Sequence, residues 1–98
     1  MAQIETTGTI NWLKVNKEAT AGSDLGLFSL QPAGGGAEEL FFVWFSLSDS
    51  TPPLATDWIA RNMHVAMLRD ALIQKLQVIV THDDASNFYS SLQLQAAP

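Results

Sequence analysis

Residues 38–48, which read EELFFVWFSLS, are apolar on both faces of a predicted strand. In a β-strand, successive side chains point to opposite faces, so a strand that covers a single core alternates apolar and polar residues. One predicted face here carries Phe41, Val43 and Phe45, and the other carries Leu40, Phe42 and Trp44. We therefore expect this strand to be covered on both sides.

The composition of the chain supplies more apolar side chains than one small core can hold. The 98 residues are 47% hydrophobic and 15% charged, and a chain of this length forms one domain that buries roughly 60 to 68% of its extended surface. The remaining apolar side chains need a second cover, and further copies of the same chain provide it most simply. We therefore expect a single domain, residues 1–98, that forms a homo-oligomer.

The charge pattern argues against several classes of partner. Ten acidic and five basic residues give a formal net charge of −5, and the basic residues form no cluster of the kind that binds nucleic acid or an anionic membrane. No apolar stretch approaches the ~20 residues that a membrane-spanning helix needs. The chain has no cysteine for a disulfide, and its first residues, MAQIETTG, do not resemble a signal peptide. We expect a cytoplasmic protein that binds no nucleic acid and does not insert into a membrane.

Local composition predicts five strands and one helix. Stretches rich in Thr, Val, Ile and aromatic residues predict strands at about 6–17, 25–31, 38–48, 77–82 and 88–95. Residues 57–76 contain neither Gly nor Pro and are rich in Ala, Leu, Met and Arg, so they predict one long helix. Thr56 or Asp57 is its candidate N-cap.

The first predicted strand changes phase along its length. The apolar residues on one face are Ile10 and Trp12, and those on the other face are Leu13 and Val15. Such a change predicts a bulge or a bend, and Gly8 would ease a sharp coil nearby.

The predicted helix is apolar beyond one face. Its main stripe, which we expect to cover the sheet or to plug the end of a barrel, consists of Trp58, Val65, Leu68, Leu72, Ile73 and Leu76. Met63 and Met67 lie away from the centre of this stripe, where they either fill irregular gaps in one core or contact a neighbouring subunit. Because the third strand has the same surplus, we predict an oligomer interface that contains Phe42, Trp44, Met63 and Met67.

The order of elements predicts an α+β fold, a small five-stranded OB-like antiparallel barrel or strongly curved sheet with one long helix. The alternative is an open antiparallel sheet with the helix packed across one face. From Thr56 through RNMHVAMLRDALIQKLQVIVTHDDASNFYSSLQLQ, the order of elements resembles the pentameric B subunits of bacterial enterotoxins. This resemblance implies ring-like assembly as a pentamer, whereas the frequency of two-fold symmetry favours a dimer. The toxin subunits carry a disulfide and this chain does not, and no sugar-binding residue aligns.

The polar stretch THDDASN, residues 81–87, is the densest group of candidate ligand-binding side chains. It lacks the spacing of a calcium-binding EF-hand, and Asp and Asn are also ordinary turn residues, so we expect no metal site. The chain has no GxSxG motif, phosphate-binding glycine loop or Cys nucleophile. We therefore predict no catalytic residue and no cofactor.

The function predicted from these features is that of a non-enzymatic, oligomeric binding module with repeated weak sites for a neutral sugar or a peptide. The loops that hold ligands in OB-folds correspond here to KEATAGSD and HDDASN. The predicted binding residues are Trp12, Asp83, Asp84 and Asn87, the first because an indole offers a flat apolar face and an N–H donor. One alternative is a small enzyme whose site forms between subunits around His64, Asp70 and either Arg69 or Arg61, and another is a purely structural assembly protein.

Overall fold

The computed structural model describes residues 2–17, 23–47 and 55–96. Its elements in chain order are β1 (Gln3–Lys17), β2 (Ser23–Pro32), β3 (Glu39–Leu47), α1 (Ala55–Gln74), β4 (Gln77–Asp83) and β5 (Tyr89–Gln95). The predicted order of three strands, one helix and two strands is confirmed. The helix begins earlier than predicted, so the candidate caps Thr56 and Asp57 lie within its first turn. Residues 18–22 of the KEATAGSD loop and Ser48 of the third predicted strand lie outside the described residues.

The five strands form one antiparallel sheet in the order β3-β2-β1-β4-β5. The long central strand β1 pairs with β4 through its first residues and with β2 through the rest. Gly8 lies where β1 changes partner, and it pairs with Pro32 on one side and Val78 on the other. A Cβ atom added to Gly8 would lie 2.1 Å from the carbonyl oxygen of Gln31. The close approach of two backbones explains why this position is a glycine.

The bulge predicted in β1 is present, but it separates Ile10 from Trp12, which were predicted to share one face. The register with β2 shifts between Ile10 and Trp12, so Asn11 is the extra residue. Ile10 is buried, Trp12 is exposed on the other face, and Leu13 packs against the core again. The added residue reverses which side chains face inward.

A second bulge, in β3, corrects the predicted facing of residues 38–48. Phe42 pairs with Leu27 and Trp44 pairs with Gly26, so Val43 is the extra residue. As a result Trp44 is only 7% exposed within the single chain, and a Cβ atom on Gly26 would lie 2.5 Å from its indole. The helix and Gly26 thus cover one of the side chains that was predicted to face a second copy.

Phe45 moves to the opposite side of β3 from the one predicted. It is 45% exposed, and its ring meets that of Phe42 at 5.6 Å between centroids. A strict alternation would have separated these two rings, and the bulge between them brings them to one face.

The buried face of α1 is centred on Leu68 and Ala71, with Leu72 and Leu76 packed against the core. Ile73, which was predicted to face the sheet, is 69% exposed, because it lies about 140° around the helix from Leu68. Among the described residues, the main cluster of buried side chains consists of Ile10, Phe28, Leu30, Phe41, Leu68, Ala71, Val78 and Val80. Of the two methionines predicted at an interface, Met63 is exposed and Met67 is half-buried.

The helix ends in a left-handed residue that is not glycine. Lys75 has a φ of 56°, and the N–H of Leu76 donates to the carbonyl oxygen of Ala71 at 3.0 Å. This is the hydrogen bond of a Schellman motif, in which the residue with positive φ is usually glycine. The motif turns the chain directly into β4.

The two edge strands of the sheet, β3 and β5, approach each other at one end. A single parallel bridge joins Phe42 to Phe88, and the sheet is not closed into a barrel. Within the described ranges, no helix has the length and apolar character needed to cross a membrane.

Candidate functional site

The turn between β4 and β5 is shaped by Asp83. One carboxylate oxygen of Asp83 accepts a hydrogen bond from the N–H of Ala85 at 3.0 Å, and its carbonyl oxygen accepts one from the N–H of Ser86, also at 3.0 Å. This is the Asx-turn geometry that makes Asp common in turns. The Asp83 carboxylate therefore supports the backbone of the turn.

Asn87 ties this turn to β3. Its side-chain nitrogen donates to the backbone carbonyl oxygen of Leu40 at 2.7 Å. Its backbone carbonyl oxygen accepts from the N–H of Phe42 at 2.8 Å. The amide that was predicted to bind a ligand is thus used to hold the turn against the start of β3.

A cleft of about 450 Å³ lies between the start of β3 and the β4–β5 turn. We call it the turn cleft; its lining residues are Glu38, Glu39, Leu40, Phe41, His82, Asp84, Ala85, Ser86 and Asn87. The lining includes three carboxylates, those of Glu38, Glu39 and Asp84, and neither Lys nor Arg. Its chemistry therefore suits hydrogen-bond donors and disfavours anions.

Glu38 is anchored by a polar group buried in the sheet. The hydroxyl of Ser29, which is fully buried, donates to one carboxylate oxygen of Glu38. The side-chain nitrogen of Asn11 donates to the Ser29 hydroxyl at 3.1 Å and reaches the same Glu38 oxygen at 3.4 Å. The extra residue of the β1 bulge thus positions one wall of the turn cleft.

His82 forms the floor of the turn cleft but is fully engaged. It is 3% exposed, its Nδ1 donates to the carbonyl oxygen of Asp83 at 2.8 Å, and its Nε2 lies 2.9 Å from the hydroxyl of Thr6. Because a carbonyl oxygen can only accept, Nδ1 carries a proton. Since both ring nitrogens are bonded within the protein, His82 has a structural role here.

Of the predicted binding residues, the structure brings Asp84 and Asn87 into one cleft, and Asp83 supports the turn beside it. Trp12 is 37% exposed and lines neither this cleft nor the one described next. Sequence reasoning missed the contributions of Glu38 and His82 to this cleft. The order of elements could have indicated their positions, because it brings the start of the third strand close to the turn before the fifth.

A second, smaller cleft of about 220 Å³ lies between α1 and β3. We call it the helix cleft; its lining residues are Val43, Trp44, Asp57, Ala60, Arg61 and His64. The central guanidinium carbon of Arg61 lies 5.1 Å from the ring centroid of Trp44 and 4.8 Å from that of Trp58. In the part of the chain that the structure describes, Nη1 of Arg61 is buried and has no hydrogen-bond partner.

His64 is held from the sheet side by Tyr89. A hydrogen bond of 2.8 Å joins Nδ1 of His64 and the Tyr89 hydroxyl. Burial raises the pKa of Tyr89 above its ordinary range, since an apolar environment disfavours the phenolate. The phenol therefore stays protonated over the physiological pH range.

Of the residues of the alternative enzymatic hypothesis, His64 and Arg61 line the helix cleft together, whereas Asp70 and Arg69 lie outside it. Asp70 pairs with Arg69 at 3.8 Å on an exposed part of the helix, and it lies about 120° around the helix from His64. Within the described ranges, no three His, Asp or Glu side chains are grouped so that they could hold a metal ion. Compared with known protein families, curated proteins and solved structures, the chain has no match.

Proposed function

We propose that this protein is a non-enzymatic binding module that holds a neutral sugar or a peptide in the turn cleft. The observation that carries the proposal is a cleft of about 450 Å³ lined by three carboxylates and by neither Lys nor Arg. Sugar hydroxyls and peptide N–H groups donate hydrogen bonds, and hydrogen bonds to charged acceptors are stronger than neutral ones. Nucleic acids would be repelled by the same carboxylates.

The walls of the turn cleft support this proposal because hydrogen bonds within the chain hold them in place. Asn87 fixes the turn to β3, and Ser29 fixes Glu38. A preorganised site loses less conformational entropy when its ligand binds, so weak contacts are more effective there.

We propose further that copies of the chain associate, so that several weak sites act together. Three exposed or half-buried rings, those of Phe42, Phe45 and Phe88, form an aromatic patch at the junction of β3 and β5. Each large apolar side chain moved from water to an interface contributes roughly 1.5 to 3 kcal/mol before the cost of association. Met63 on the outer face of α1 is a further contact of this kind.

The approach of β3 to β5 supports the OB-like barrel as the finer description of the fold. In this proposal the Phe42–Phe88 bridge is the closing contact of a partly open barrel. The resemblance to the toxin B subunits then favours a ring, and multivalent display from a ring raises the avidity of weak sites. This last step is an argument from fold-level analogy.

The ligand proposal is tested with a glycan array and a peptide panel, followed by affinity measurements on a hit. The double variant Glu39→Gln/Asp84→Asn removes two carboxylates and keeps the side-chain shapes. We expect it to lose at least about tenfold in affinity, or ~1.4 kcal/mol. The matched control, Asp70→Asn, removes an exposed carboxylate outside both clefts and should bind as the parent does. Unchanged affinity in the double variant would contradict the turn cleft as the site.

The assembly proposal is tested by light scattering coupled to size exclusion at micromolar concentration. We expect a mass that is a multiple of 10.7 kDa, and a smaller mass for the double variant Phe45→Ser/Phe88→Ser. Trp12→Ser, which removes an exposed indole outside the aromatic patch, is the control and should keep the parental mass. A single species at 10.7 kDa for the parent protein would refute assembly, whereas a stable oligomer without any ligand would favour a purely structural role.

A further inference from the structure

The helix cleft presents a cation in a protein that is otherwise acidic. Arg61 is one of five basic residues against ten acidic ones, and the ion pair found in the described ranges joins Arg69 to Asp70 and leaves Arg61 out. The turn cleft and the helix cleft share no lining residue. An arginine set against two indoles, with one nitrogen buried and unbonded, calls for a physical explanation.

The geometry around Arg61 is a corner and not a closed sandwich. The indoles of Trp44 and Trp58 stand at 69° to each other with their centroids 6.1 Å apart, and the guanidinium carbon lies near 5 Å from both rings. The rings hold the planar guanidinium through cation–π contacts. Arg61 also lines the helix cleft beside these rings, so the cleft offers an acceptor access to its cation.

The other lining residues define what such an acceptor carries. His64 lies one helical turn from Arg61 on the same side of α1 and lines the same cleft. When the Tyr89 hydroxyl donates to Nδ1 of His64, the imidazole carries its proton on Nε2. Val43 and Ala60 add apolar wall to the same cleft.

We propose that the helix cleft binds a small organic monocarboxylate through Arg61, with His64 as a second donor and the indole of Trp44 against the apolar body of the acid. A carboxylate matches the fork of a guanidinium with two parallel hydrogen bonds.

The size and charge of the helix cleft limit the class of acid. At about 220 Å³ the cleft is smaller than the ~300 to 1,000 Å³ typical of sites for drug-sized ligands. Asp57 lines the same cleft. Its carboxylate would repel a dianion such as inorganic phosphate about twice as strongly as it repels a monoanion. The expected ligand is therefore short and singly charged.

The competing explanation is that Arg61 only fills space between two indoles. Stacking alone needs the flat cation but no acceptor, so it predicts that anions leave the site unchanged. Carboxylate binding predicts a saturable response that depends on the negative charge of the probe.

The experiment is an NMR titration of the indole N–H and arginine Nε–H resonances with sodium propionate and sodium benzoate. We expect saturable shifts in the Trp44 and Arg61 signals at millimolar concentration, and no such shifts with the matched neutral amides, propionamide and benzamide. Inorganic phosphate should bind more weakly than either carboxylate. Tighter binding of phosphate, equal shifts with the amides, or no saturation with either acid would overturn the proposal.

Two variants and one control locate the site. Arg61→Met keeps the length of the side chain and removes the charge, and it should weaken benzoate binding at least tenfold, whereas the matched control Arg69→Met should bind benzoate as the parent does. If Arg61→Met does not fold, Arg61→Lys serves instead; it keeps the charge, loses the fork and should bind several-fold more weakly. Benzoate binding that is unchanged in the variant that folds would refute the role of Arg61. Failure of the turn-cleft ligand screen would leave this result untouched, since the two sites have no residue in common.

Discussion

Replacing Gly8 with alanine tests the sharpest packing requirement in the sheet. Gly8 pairs with Pro32 on β2 and Val78 on β4 at once, so β1 cannot move away from one neighbour without moving into the other. The added Cβ atom would lie 2.1 Å from the carbonyl oxygen of Gln31. An ordinary contact between carbon and carbonyl oxygen is about 3.3 Å, so the two strands would have to separate by roughly 1.2 Å.

The expected cost follows from what that separation breaks. The neighbouring hydrogen bond from the N–H of Ala33 to the carbonyl oxygen of Thr7 is 2.9 Å long, and a shift of this size takes it beyond hydrogen-bonding distance. Overpacking a well-packed site costs about 1 to 3 kcal/mol, and a hydrogen bond contributes about 1 kcal/mol. Alanine is preferred over glycine within a strand, which offsets roughly 0.5 to 1 kcal/mol of this loss in stability. We expect Gly8→Ala to lower the free energy of unfolding by about 1 to 3.5 kcal/mol.

The assay is urea denaturation followed by far-UV circular dichroism at one fixed protein concentration, because association would shift the apparent stability. For an m-value of about 2 kcal/mol/M, a loss of this size lowers the urea midpoint by roughly 0.5 to 1.8 M. The matched control is Gly34→Ala, where an added Cβ atom meets nothing within 4 Å, and we expect a change within about 0.5 kcal/mol. If Gly8→Ala were as stable as Gly34→Ala, the partner change of β1 at Gly8 would be refuted.

Two further predictions concern the helix end and the buried phenol. Lys75→Gly should raise the free energy of unfolding by about 0.5 to 1 kcal/mol in thermal melts, because a left-handed residue other than glycine is strained; an unchanged or lower melting temperature would contradict the Schellman geometry. Tyr89, the only tyrosine in the chain, has a raised pKa in the folded state. Its contribution to the free energy of unfolding is therefore fully present below pH 10 and is lost as the pH rises beyond that value. The loss is at most about 1.4 kcal/mol per pH unit, and it is smaller where solvent reaches the hydroxyl. Urea titrations at pH 9 and pH 11 should therefore show a smaller alkaline loss for Tyr89→Phe than for the parent, and equal losses would show that the phenol is not desolvated.

Several features of the fold could be predicted from short stretches of sequence. The stretch 55–74 forms a helix because it lacks Gly and Pro and consists largely of good helix formers, and such preferences act within one or two turns. The phase change between Trp12 and Leu13 predicted a bulge, and the β1–β2 register has one slightly earlier, between Ile10 and Trp12. These signals are visible because cause and effect lie within a few residues of each other.

The facing of β3 could not be predicted in the same way. Residues 40–45 are all apolar, so neither face is marked as the inner one. The extra residue at Val43 is set by β2, where Gly26 leaves room for the indole of Trp44. Because of this extra residue, Trp44 faces the helix and Phe45 faces outward. Strict alternation would have placed each on the opposite face.

Both clefts depend on contacts between distant parts of the chain. The sequence by itself marked residues 81–87 as a polar turn, but only the fold brought Glu38 opposite Asp84 in the turn cleft. In the helix cleft, Trp58 and Arg61 are neighbours one helical turn apart, a spacing that sequence can show, whereas Trp44 reaches the same guanidinium from β3. Local preference determined which elements form, and the pairing of strands determined which side chains meet, because a β-register is set by the partner strand and not by the strand alone.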